Sequence, residues 1–128
     1  MRGRKNPRQP RRFEVTLTRE DGGVVCERCV VAETPLRRAR GLLGRTELAS
    51  GEGLLLRPAS SIHTFFMRFP IDAVFLDRHL VVRKVAHRLR PWRVVFGLGS
   101  HAVLELAAGE CERSGISRGD RLASTGPG

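Results

Sequence analysis

The stretch SIHTFFMRFPIDAVFLD, residues 61–77, sets His63, Thr64, Arg68 and Asp72 among ten apolar residues. Histidine can move a proton near neutral pH, a carboxylate can orient it, and a guanidinium offers planar donors to an anion. Two readings follow. In one, His63, Thr64 and Asp72 line a cleft, joined by Arg68 or an arginine from a neighbouring helix. In the other, Asp72 anchors the corner that Pro70 marks, and His63 hydrogen-bonds locally. Taken singly, these residues favour the second reading, because structural networks use the same groups.

Two further stretches could carry chemistry. Glu105 lies in VLEL and, in a strand, projects away from Leu104 and Leu106. It could act as a general base, but a pairing with Arg40 or Arg45 is preferred, since an unpaired buried carboxylate is costly. Cys26-Glu27-Arg28-Cys29 has the spacing of a zinc or thiol-redox pair. In a regular strand, however, residues three apart face opposite ways and lie about 10 Å apart. Only a bulge or turn would bring the thiols together, so the expectation is buried, unreactive cysteines.

The elements that must position these groups are short. Phe13, Val15 and Leu17 alternate with polar residues as in a half-buried strand, and EDGG turns the chain into a return strand over 24–31. Thr34 and Pro35 open a helix predicted over 35–43, which Gly44 ends. Further strands are predicted at 54–57, 62–67, 73–76, 80–85, 94–96 and 102–107, with one helical turn at 110–114. If 62–67 is a strand, His63, Phe65 and Met67 share one face while Ile62, Thr64, Phe66 and Arg68 share the other.

The chain of 128 residues, 41% apolar with 14 Gly and 7 Pro, suits one turn-rich domain. No apolar run approaches the ~20 residues that span a bilayer, and no hydrophobic segment follows the basic start, so a cytoplasmic location is expected. Six of the 23 basic residues fall in residues 1–12, and the remainder carries 17 basic and 13 acidic residues. Such a tail would bind nucleic acid weakly and without sequence preference. No P-loop, GxSxG, HExxH or dinucleotide fingerprint is present.

Three stretches, VAETPLRRARGLLGR, GEGLLLRPASSIHTFFMRFPIDAVFLD and VLELAAGECERSGISRGDRL, resemble in order the bacterial and archaeal family called domain of unknown function 192. The resemblance covers about residues 24–122. It implies a compact β domain with short helices, and it implies no reaction. It also groups Arg40, Gly41, Arg45, His63, Thr64, Met67, Asp72, Glu105 and Gly109.

The resulting expectation is a mainly β fold: a single compact antiparallel β-barrel or sandwich with one or two short helices over 13–123. Disordered ends are expected at 1–12 and 124–128. The expected function is a non-catalytic binding or accessory module with a polar cleft near His63. Arg45, His63, Thr64, Met67, Asp72 and Glu105 would bind a small polar or anionic ligand or a partner's segment. No catalytic residue, metal or cofactor is assigned. The alternatives are a small hydrolase or transferase using His63 with Asp72 or Glu105, and a nucleic-acid-associated protein acting through residues 1–12.

Overall fold

The computed structural model describes residues 14–34, 38, 42 and 45–126. The expected tail over 1–12, most of the helix expected over 35–43, and Arg40 and Gly41 lie outside the described residues.

The strands are β1 (Glu14–Arg19), β2 (Val24–Ala32), β3 (Glu52–Leu56), β4 (Ser61–His63), β5 (Ile71–Leu76), β6 (Val82–Leu89), β7 (Val94–Phe96), β8 (Ala102–Ala107) and β9 (Leu122–Thr125). One short helix, α1 (Glu110–Ser114), follows β8. Seven strands form one sheet in the order β6-β5-β8-β3-β2-β1-β9, while β4 and β7 form a separate two-stranded ribbon. The sheet curls into a half-barrel. Its two edges meet at one corner, where Val81 bridges Arg121 and the Val82 amide donates to Asp120 O at 2.8 Å.

The sheet is mixed rather than antiparallel throughout, because β2 and β3 run parallel. Parallel neighbours need a long crossover, and residues 33–51 supply it. The helix start expected at Thr34-Pro35 falls within this connection. Strand β9 also runs past the boundary expected at 123. Ser124 and Thr125 pair with Leu17 and Thr16, completing the edge of the sheet.

Apolar side chains fall on both faces of the sheet. The concave face gathers Leu17, Val25, Cys26, Cys29, Leu55, Val74, Leu76, Leu104 and Leu106, closed by Cys111 and Ile116. The other face presents Leu54, Leu56, Ile71, Ala73, Phe75 and Val103, covered by Leu42, Leu48, Ile62 and Met67. Successive residues of β5 therefore alternate between two cores, which is why all six are buried.

The cysteine spacing had a different outcome from the regular-strand expectation. Val15 pairs with Cys29 and Leu17 with Cys26, so Glu27 and Arg28 together oppose Thr16 alone. This bulge restores the phase, and both cysteines point into the concave core. They are free thiols, and a hydrogen bond to Cys26, with burial, pushes the Cys29 thiol well up.

The strand expected over 62–67 stops at His63. Thr64 leaves the ladder, and Phe66 takes φ 65° in the turn that follows. Expected face-sharing among residues 63, 65 and 67 does not hold through that turn.

The β4-β7 ribbon presses directly on the covered face. Gly97 is buried, and a Cβ there would lie 2.3 Å from Phe75 Cδ1. Phe75 is enclosed and cannot swing away. Gly97→Ala is therefore expected to destabilise the domain by about 1–3 kcal/mol in urea unfolding. A change near zero would show that the ribbon can lift off the sheet without loss.

Candidate functional site

A cavity of about 130 Å³ lies between the covered sheet face and the segments that cross it. Strand β3 contributes Leu56, β8 contributes Glu105, and the β2–β3 crossover contributes Arg38 and Leu42. The chain from Ala59 to Met67 supplies Ala59, Ser61, Ile62, His63 and Met67. Most of this lining is aliphatic.

Register explains how a carboxylate comes to sit there. Glu105 pairs across β8 with Leu54 on one side and Ala73 on the other. Its side chain therefore shares the covered face with Val103, while Leu104 and Leu106 enter the opposite core. Only 4% of Glu105 is exposed, and among the described residues it makes no hydrogen bond or ion pair. Burial alone raises its pKa to about 7. The preferred pairing with Arg45 does not form, since Arg45 contacts Glu52 at 3.4 Å.

Glu110 shows what a partnered buried carboxylate looks like in the same fold. Burial pushes its pKa up, but hydrogen bonds from Arg113, Gly51 and Ser50 outweigh that and hold it below the usual value. Glu105 has the burial without such donors among the described residues.

Of the six expected site residues, the cavity brings together His63, Met67 and Glu105. Arg45, Thr64 and Asp72 are not part of its lining, and each has another use. Arg45 pairs with Glu52 at the surface. The Thr64 hydroxyl donates to Arg90 O at 2.6 Å and accepts from the Arg93 amide at 2.9 Å. It staples the turn after β4 to the loop before β7.

Asp72 accepts three backbone amides: Arg88 at 2.8 Å, Gly109 at 3.1 Å and Cys111 at 2.9 Å. It fills a bulge in β6, where His87 and Arg88 together oppose it. Burial and the Asp72 carboxylate both push the Cys111 thiol upward.

His63 is exposed at the rim, where its Nδ1 accepts the Phe65 amide at 3.3 Å. Among the described residues it hydrogen-bonds to no carboxylate, and no group of three or more His, Cys, Asp or Glu is arranged to hold a metal ion.

The family model DUF192, described as "Uncharacterized ACR", matches residues 16–124. The chain belongs to the DUF192 family. A solved structure from Novosphingobium aromaticivorans DSM 12444, of a protein of unknown function, is 30% identical with a TM-score of 0.74, covering 86% of this chain and 83% of that one. A second, from Sinorhizobium meliloti 1021, is described as a candidate transcription regulator. It is 25% identical with a TM-score of 0.77, over 87% of this chain and 92% of its own. No curated protein matches. Among the described residues of this DUF192 domain, no helix is long and apolar enough to cross a membrane.

Sequence reasoning missed Arg38, Leu42, Leu56, Ala59, Ser61 and Ile62 in the DUF192 cavity. A weak signal existed, for Leu54 and Leu56 alternate in phase with a sheet face that needs a cover. Nothing in spacing alone says that the crossover and the Ala59–Met67 segment meet over Glu105.

Proposed function

We propose that this DUF192 domain is a non-catalytic binding module whose site is the cavity over Glu105. The observation that carries this reading is a carboxyl group, 4% exposed and without a hydrogen-bond partner among the described residues, that opens onto a small, mostly aliphatic space. Leaving such a group unpaired costs stability, and residues held at such a cost concentrate where a ligand compensates for them. A cavity near 150 Å³ accommodates a molecule of about benzene size. The ligand that fits has a short apolar body against Leu42, Leu56, Ile62 and Met67 and a polar end that donates a hydrogen bond to Glu105. An ammonium group suits best, because it favours the ionised carboxylate. Arg38 and His63 at the rim can meet a second polar group.

A matched series of butylammonium, butanol and butyrate, followed by amide chemical-shift changes, tests this directly. The expected order of binding at pH 8 is butylammonium over butanol over butyrate. Shifts should centre on Ile62, Met67 and Glu105, and Glu105→Gln should abolish the preference for the amine. Shifts that avoid the cavity, or an order that Glu105→Gln leaves intact, would overturn the assignment. The hydrolase or transferase alternative has no specific support, because His63 lacks a carboxylate partner among the described residues.

A further inference from the structure

The β4-β7 ribbon carries an unusual outer surface. Phe66 is 70% exposed, Trp92 56%, Phe96 63% and Leu98 91%, with Val94 between them. These side chains are not scattered. Phe66 and Trp92 sit together, with ring centroids 4.7 Å apart, and Phe65 stacks on Trp92 at 5.7 Å. His63 extends the row, 5.0 Å from Phe65. Val94 and Phe96 continue it along the outer face of β7, paired with His63 and Ser61. The stretch from Trp92 to Leu98 is seven residues, of which Val94–Phe96 are strand, and it reaches at most about 20 Å.

The row is held in place by the backbone. Phe66 and Trp92 both take positive φ, 65° and 66°, a region that bulky residues avoid. Thr64 fixes both turns: its carbonyl accepts the Trp92 amide at 2.9 Å, and its own amide donates to Arg93 O at 2.8 Å. Two hydrogen bonds that Thr64 donates and two that it accepts thus tie the 90–93 loop to the turn after β4 and hold the two aromatic rings outward.

Charge decides what lies on this row. Residues 53–71 and 78–104, which include the whole ribbon and its turns, contain no Asp or Glu. They contain Arg68, Lys84, Arg90 and Arg93, all exposed. The Lys84 ammonium contacts Phe96 O at 2.9 Å and the Arg93 guanidinium contacts Trp92 O at 3.5 Å, so both charges flank the row. Among the described residues, Arg68, Arg90 and Arg93 form no ion pair.

We propose that this ribbon is a docking track for single-stranded nucleic acid, whose bases stack on Phe66, Trp92 and Phe96 while its phosphates meet the flanking arginines and Lys84. Exposed rings bordered by unpaired guanidinium groups are the two components of a sequence-tolerant strand site. An anionic membrane would also meet such charge, but the apolar surface does not stop at the ring cluster: Val94 and Phe96 carry it on along β7. That shape suits a linear polyanion. The track shares His63 with the rim of the cavity over Glu105, but its stacking rings and charged groups are not part of that cavity's lining, and it draws on none of residues 1–12.

Trp92 is the single tryptophan, so its fluorescence reports the track alone. The test adds fluorescein-labelled dT12 and rU12 to the full chain and reads anisotropy, while unlabelled strands are used for Trp92 emission. The expected result is quenching of Trp92, with Phe66→Ala and Phe96→Ala each weakening affinity about tenfold and leaving the thermal midpoint unchanged. Arg90→Gln with Arg93→Gln should flatten the salt dependence by about one unit of slope. Affinity unchanged by the ring variants would place binding in tail charge and overturn the proposal. So would inorganic polyphosphate competing as well as a strand of equal charge. A blue shift of Trp92 with phosphatidylserine vesicles, with no response to the strands, would assign the row to a lipid surface instead.

Discussion

Asp72→Ala is expected to destabilise the domain by about 4 kcal/mol, a large share of the ~5–15 kcal/mol that holds a typical domain folded. The carboxylate is enclosed, and its two oxygens serve three amides from separate parts of the chain. Hydrogen bonds to a charged acceptor contribute about 1.5–3 kcal/mol each, and orphaned buried donors retain their full desolvation cost. The three bonds are not additive, so about 4 kcal/mol is set below their sum. Asp72→Asn should rescue little, because its amide group would face N–H donors at one oxygen position. Urea unfolding measures the difference. A loss under about 1 kcal/mol would mean that water or a rearranged loop can replace the carboxylate.

Glu105→Gln is expected to act in the opposite direction, and only above acidic pH. The folded-state pKa of Glu105 is raised from 4.5 to about 7. Between those values the folded chain binds the proton more tightly than the unfolded chain does. Stability therefore falls as pH rises through this window, by about 3 kcal/mol at most, and stays low above it. Glutamine carries no such slope. Unfolding at pH 4 should show the two proteins nearly equal, while at pH 8 the variant should be the more stable. An equal difference at both pH values would show that the carboxyl is not desolvated in the fold. Together with the amine series, the two measurements separate a costly carboxyl from a useful one: gain of stability and loss of amine preference should arrive in the same variant.

Thr64 and Asp72 illustrate how site and scaffold can exchange places. Both stand out in the sequence as polar residues in an apolar run, and both are buried in the structure. Their partners are backbone amides and carbonyls supplied by residues 88–111, a relation no residue type announces. Conversely, the aromatic row was invisible as a surface. Phe65 and Phe66 were expected on opposite faces of an alternating strand, and only the turn at φ 65° brings both rings to Trp92.

The sequence by itself determined the β-rich class, the positions of most strands, the short helix at 110–114 and the opposite facing of Glu105 and its leucine neighbours. These follow from period-two alternation and from Gly, Pro and Asp at turns, which act over a few residues. It also carried the family resemblance through three ordered stretches. The tertiary structure alone decided the parallel β2–β3 pair, the two bulges that rephase Cys26 with Cys29 and seat Asp72, and the roof over Glu105. Each of these depends on which distant strand becomes a neighbour and in what register. A shift of one residue reverses every side chain's face, so local pattern cannot assign the contents of a cavity assembled from four separate segments.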